Sequence, residues 1–143
     1  MDIKAKAEKL IKKYGTSDPF EIAKQENIHI IYTNLGGKFG NYVKYKREKF
    51  ILIDNTATPP EMLNFVCAHE LGHALCTTKE NTQWLKTYTM SINSDKIERI
   101  ANTFAVELLL PDTYLKENAD TSIYDLARIK GIPAKFINLK LKN

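Results

Sequence analysis

The sequence predicts an α+β domain: a small three-stranded antiparallel sheet packed with one long apolar helix and several further helices. Three observations carry this. Two helical patterns precede the only stretch rich in β-branched residues, residues 28–54, and helical patterns fill most of the chain beyond it. Short turn signals interrupt the β-region without a helix between its strands, which favours antiparallel pairing. The 143 residues contain no repeat, low-complexity stretch or linker, so a single domain over 1–143 is expected.

Each element has its own local signals. Residues 2–14 read as a helix that buries Ile3, Ala7, Leu10 and Ile11 and turns its lysines to solvent, with Gly15 as its stop. Asp18-Pro19-Phe20-Glu21 combines a cap, a proline at the first position and an early carboxylate, and opens a short helix to about Glu26. Ile28–Thr33, Phe39–Lys46 and Phe50–Asp54 are the three strands, with Gly36-Gly37 marking a turn. Thr58-Pro59-Pro60-Glu61 repeats the capping pattern and launches a helix to Cys76. Residues 77–93 are polar and read as a long loop. Ser94 then caps a helix from Asp95 to about Leu110, ended by Pro111, whose stripe of Ile97, Ile100, Ala101, Phe104, Ala105 and Leu108 belongs in the core. Short helices near Tyr114–Glu117 and Ile123–Lys130 lead into a basic C-terminal tail, residues 112–143 forming a helical appendage.

Composition narrows the class. A hydrophobic share of 43% with 27% charged residues is that of an ordinary globular protein, and no apolar run is long enough to span a membrane. The N-terminus lacks the apolar centre of a secretory signal, and Cys67 and Cys76 lie on one helix about 13 Å apart, too far for a disulfide. A reducing cytoplasm fits both. The net charge of +4 comes from lysines clustered at the two ends, with only three arginines, at 47, 99 and 128. A solvated face explains such charge, and direct nucleic-acid binding is not indicated.

The chemistry lies in His69-Glu70-Leu71-Gly72-His73. Histidines four apart on a helix project from one face and can share one Zn²⁺. Glu70, one residue round from His69, stands beside the ligands as a general base for water activated by the metal. Gly72 between them implies a close approach, since a glycine inside a helix costs roughly 1 kcal/mol against alanine. Shuffling this composition would give such a motif roughly three times in a thousand. The third histidine, His29, sits alone in a strand and reads as structural.

A catalytic zinc takes a third protein ligand. Cys76, seven residues after His69, is one candidate, but a straight helix cannot easily wrap three ligands around a tetrahedral ion. Glu98, opening the next long helix, is the better one, with Asn102 one turn on to hydrogen-bond a ligating imidazole. For the oxyanion, Tyr42, Tyr45, Tyr88 and Arg99 are open alternatives, and the strand Phe39–Lys46 is a candidate to line the cleft and pair with an extended substrate.

The run Ala68-His69-Glu70-Leu71-Gly72-His73-Ala74-Leu75, followed by Glu98-Arg99-Ile100-Ala101-Asn102-Thr103-Phe104-Ala105-Val106-Glu107-Leu108-Leu109-Leu110-Pro111, resembles the ImmA/IrrE metallopeptidases. The second run is similar to that family's E-x-E-A-N-x-F-A-x-E-L-L-x-P signature, with Ile100 at its second acidic position. The likeness covers roughly residues 15–115 and is nearest to short members encoded by phages and mobile elements. It implies a minimal, gluzincin-like zincin site: one Zn²⁺ on His69, His73 and Glu98, with Glu70 as base. It also implies an anti-repressor role, cleavage of a helix-turn-helix repressor. The alternative is a non-catalytic zinc-containing regulator that contacts a repressor or DNA, motivated by Leu126–Pro133, a helix, a glycine turn and the start of a second helix. That stretch reads more readily as a docking or core-completing tail.

Overall fold

A computed structural model describes residues 1–77 and 83–142, with residues 83–94 described by their helical backbone alone. The elements in chain order are α1 (Ile3–Tyr14), α2 (Pro19–Gln25), β1 (Ile28–Tyr32), β2 (Gly40–Tyr45), β3 (Glu48–Ile53), α3 (Leu63–Cys76), α4 (Gln83–Leu109), α5 (Asp112–Glu117), α6 (Ile123–Ile129) and α7 (Ile137–Leu141). Two short 3₁₀ turns precede α3 and α7. Among the described residues no helix is long and apolar enough to cross a membrane.

The α+β architecture is as the sequence predicts, but the sheet is mixed. Its order is β1-β3-β2, with β2 antiparallel to β3 and β1 parallel to it. The β2–β3 hairpin turns tightly at Lys46-Arg47, with Lys46 at φ 57°. The longer connection through Gly36 and Gly37 carries the chain past the place of a third strand, and β3 fills it. A simple antiparallel meander would have placed β2 beside β1. Hydrophobic pattern alone does not distinguish these orders.

Ile28, Tyr42, Ile51 and Ile53 face inward and join Leu10, Ile22, Phe65, Leu71, Phe104 and Leu108 in one core. Local signals explain the helix ends. The Asp2 carboxylate accepts from Ala5 N–H and the Asp18 carboxylate from Phe20 N–H, while Gly15 closes α1 at φ 68°. Thr58 does not cap α3. Its hydroxyl donates to Asp54 O at 2.7 Å, and α3 begins only after the turn Pro60–Met62.

The second departure is α4, which starts at Gln83 rather than at Asp95. Ser94 therefore falls within the helix, and of the expected loop, residues 78–82 lie outside the described residues. Thr, Asn and Ser are only a few tenths of a kcal/mol poorer as helix formers than the best residues. A helix nucleated by the apolar stripe beyond residue 95 propagates through them.

The C-terminal stretch completes the core. Leu126, Ala127, Ile132 and Ile137 are buried. Gly131, at φ 72°, lies so close to the Pro60–Met62 turn that a Cβ there would stand 1.8 Å from Glu61 O. Lys140 on α7 is buried and donates to Glu107 on α4 and Asp112 on α5, each at 2.7 Å. A five-residue helix with its lysine turned inward is not a recognition helix.

Candidate metal centre

The site forms where α3 crosses α4. Gly72 sets the distance: a Cβ on it would lie 3.0 Å from Ala101 Cα and 3.1 Å from Ala101 O, so any larger residue would push the helices apart. The close crossing brings one turn of α4, Glu98 to Asn102, against the face of α3 that carries both histidines. Ala101 and Phe104, fully buried, hold it there.

The Glu98 carboxylate spans the two imidazoles, with Oε2 3.1 Å from His69 Nε2 and Oε1 2.9 Å from His73 Nε2. The two Nε2 atoms are 3.2 Å apart. Donors about 2.05 Å from a shared tetrahedral ion stand about 3.3 Å from one another, so each of these three separations is close to that between two ligands of one ion. Each ring is also fixed from behind. His69 Nδ1 lies 2.7 Å from Asn102 Oδ1, and the tautomer that donates from Nδ1 there leaves the Nε2 lone pair free for a metal. His73 Nδ1 lies 3.2 Å from Thr77 Oγ1, whose hydroxyl donates to His73 O at 2.9 Å and so presents a lone pair to the ring. Two imidazole Nε2 atoms and a carboxylate thus converge on one place. That donor set fits a divalent metal ion.

Glu70 is the other carboxylate close by. Its donor atoms and those of His69 and His73 all lie within 4.8 Å of one another, yet its Oε2 is 3.9 Å from His69 Nε2, farther than either Glu98 contact. The Glu98 contacts are the shorter ones, at 3.1 and 2.9 Å. Burial raises the Glu70 pKa above the usual carboxylate value, against the opposing pull of His69 and His73. Glu98 is shifted far the other way by hydrogen bonds from both imidazoles. Burial alone would lower the His69 pKa, but Glu98 and Glu70 outweigh it and raise it. The pocket therefore favours positive charge between the histidines.

The structure brings His69, Glu70, His73, Glu98 and Asn102 together. Cys76 is not among the clustered donors, and burial raises its thiol to about 11. Both cysteines are free. His29 pairs with Glu48 at 2.9 Å on the exposed sheet face. Of the oxyanion candidates, Tyr42 is buried with its hydroxyl unpartnered among the described residues. Tyr45 lies at the far end of β2, Arg99 is exposed, and the Tyr88 side chain is outside the described residues.

Sequence reasoning missed two participants. Thr77 sits four residues after His73, a helical spacing that was available as a signal. Gly40, the first residue of β2, had none. A Cβ on it would stand 2.8 Å from Val66 Cγ1 and 3.2 Å from Glu70 Oε2, so only glycine lets the strand lie directly on the α3 face beside Glu70.

The profile of the IrrE N-terminal-like domain, Peptidase_M78, matches residues 23–142. The chain belongs to this family. It is 44% identical over 141 residues to "Uncharacterized immunity region protein 2" of Bacillus phage phi105, covering 96% of this chain and 88% of that one. It is 35% identical over 118 residues to "Metallopeptidase ImmA" of Bacillus subtilis strain 168, covering 80% and 67%. No solved structure matches. Family and donor set together imply a metal ion and a metallopeptidase-type protein.

Proposed function

We propose that the chain is a zinc-dependent endopeptidase of the cytoplasm, with His69, His73 and Glu98 holding one Zn²⁺ and Glu70 acting as general base. The convergence of the three donors, with each Nδ1 occupied from behind, is the observation that carries this reading. Zinc suits two imidazoles and one carboxylate and, once bound, supplies the Lewis acidity that polarises a peptide carbonyl and eases loss of a proton from water. Glu70 then does the proton work. Its buried carboxylate, raised in pKa, accepts a proton from the attacking water and delivers it to the departing amine. Asn102 and Thr77 keep each Nε2 aimed at the metal, and Gly72 keeps Glu98 within reach.

The substrate proposed is a helix-turn-helix repressor, which the chain would cut as an anti-repressor. The family resemblance and the phage immunity-region relative support this. An extended substrate segment would pair with β2, which lies at the sheet's edge and crosses Glu70 at Gly40. The buried, short C-terminal helix weighs against the non-catalytic DNA-binding alternative.

The test is incubation with the repressor encoded beside this chain, with and without chelator. Wild type should cut it at a defined bond, and both chelator and Glu70→Gln should stop the cut. An intact repressor, or equal cleavage by Glu70→Gln, would refute the reading.

A further inference from the structure

The free edge of β2 has a definite hydrogen-bonding pattern. Asp54 N–H donates to Phe39 O at 2.9 Å, and at the other end the two-residue turn closes on the pair Tyr45 and Glu48. Hydrogen-bonded and non-bonded pairs alternate along an antiparallel ladder. Asn41, Val43 and Tyr45 therefore bond to β3, while Gly40, Tyr42 and Lys44 turn their N–H and C=O outward. None of these outward groups bonds to another backbone group among the described residues. The edge thus offers three docking registers in a row, beginning beside Glu70 at Gly40 and ending about 14 Å away at Lys44.

The charge along this edge has one sign. Lys44, Lys46 and Arg47 are exposed at the hairpin end and make no ion pair among the described residues, and the hairpin's one carboxylate, Glu48, is engaged by His29. Lys38, just before Gly40, is exposed and close enough for its field to act on Glu70. Lys44 shares its strand face with Gly40 and Tyr42, the face turned toward α3.

We propose that the basic β2–β3 hairpin selects an acidic peptide segment, with Lys44, Lys46 and Arg47 recognising carboxylates on a strand added to the β2 edge. The inference rests on the peptidase reading and adds a substrate class to it. A residue opposite Lys44 on the added strand lies four positions from the one opposite Gly40, with its side chain on the same face. In antiparallel pairing, the more stable arrangement, it lies four positions toward the substrate's N-terminus. Nucleic acid would satisfy the cations but not the outward N–H and C=O groups, which polypeptide backbone matches.

The test uses three labelled ten-residue peptides of Val and Thr that differ only in carrying Glu, Gln or Lys at alternate positions. Their binding to zinc-loaded Glu70→Gln protein is read by fluorescence anisotropy. The Glu peptide should bind about tenfold more tightly than the Gln peptide and the Lys peptide most weakly, with the gaps shrinking in about 0.5 M salt. Lys44→Glu/Arg47→Glu should reverse the order, and Lys44→Gln/Arg47→Gln should flatten it. An unchanged order in both variants would overturn the proposal, as would no binding of the Glu peptide or tighter binding of a DNA duplex through the same residues. A cleavage arm with the wild-type protein separates the two readings. Charge-ordered binding without cleavage of any peptide counts against the peptidase alone. Equal binding with equal cleavage of all three counts against the acidic preference alone.

Discussion

Helix α4 carries two carboxylates nine residues apart that meet opposite fates. Glu107 is buried, its side chain only 1% exposed, against the ammonium of Lys140, which also bonds Asp112, itself paired with Lys4 of α1 at 2.8 Å. Here the chain supplies its own cations, and the cluster fastens α1, α4, α5 and α7 together. Glu98 faces two imidazoles whose Nδ1 atoms are turned away toward Asn102 and Thr77, and 54% of its side chain is exposed. There the chain gathers lone pairs and leaves a positive charge to be supplied from outside. A complete ion cluster stabilises a fold; an incomplete one, open to solvent, is a binding site.

Damage to the histidine site and damage to the Lys140 cluster should therefore separate into lost function and lost stability. The largest effect falls on Glu70→Gln, which should reduce cleavage by about a thousandfold or more while the metal content and melting temperature stay near wild type. A parallel fall in melting temperature would show Glu70 to be structural. Next, Lys140→Met removes the ammonium from beside buried Glu107 and should lower unfolding stability by about 3 kcal/mol, read by urea denaturation, with metal affinity retained. Loss of metal in that variant would mean that the two clusters are coupled.

Thr77→Val removes the acceptor that fixes His73 and should weaken metal binding by about tenfold to a hundredfold in a competition titration. The smallest effect concerns pH. Hydrogen bonds from Lys140 and Lys4 hold the Asp112 pKa at about 2, below its unfolded value of 3.8. A depressed carboxylate adds stability above its unfolded pKa and loses it as pH falls through the folded value. The melting-temperature gap between wild type and Asp112→Asn should therefore be present at pH 6 and close between about pH 4 and pH 2. A gap constant over that window would remove Asp112 from the cluster.

The two clusters on α4 also differ in how far the sequence reveals them. The site was legible because its residues are tied by helical spacing: His69 to His73 on α3 and Glu98 to Asn102 on α4. Gly72, an oddity inside an apolar helix, foretold the close crossing that joins them. Thr77 obeyed the same spacing and went unnoticed among polar neighbours. The Lys140 cluster was not legible, since its members sit 28 and 33 residues apart and a basic tail looks solvated until packing turns one lysine inward. The parallel placement of β1 and the extra turns of α4 escaped for a related reason. Strand order and helix propagation depend on tertiary context that local pattern does not encode.

The central claim is that His69, His73 and Glu98 bind one metal ion while Glu70 stands beside it. Zinc content per chain, measured by elemental analysis after dialysis against a weak chelator, tests this most directly. The expected result is one equivalent in wild type and in Glu70→Gln, and a small fraction of that in His73→Ala and Glu98→Ala. A full equivalent retained by Glu98→Ala together with its loss in Glu70→Gln would reverse the two carboxylates' roles and contradict the claim.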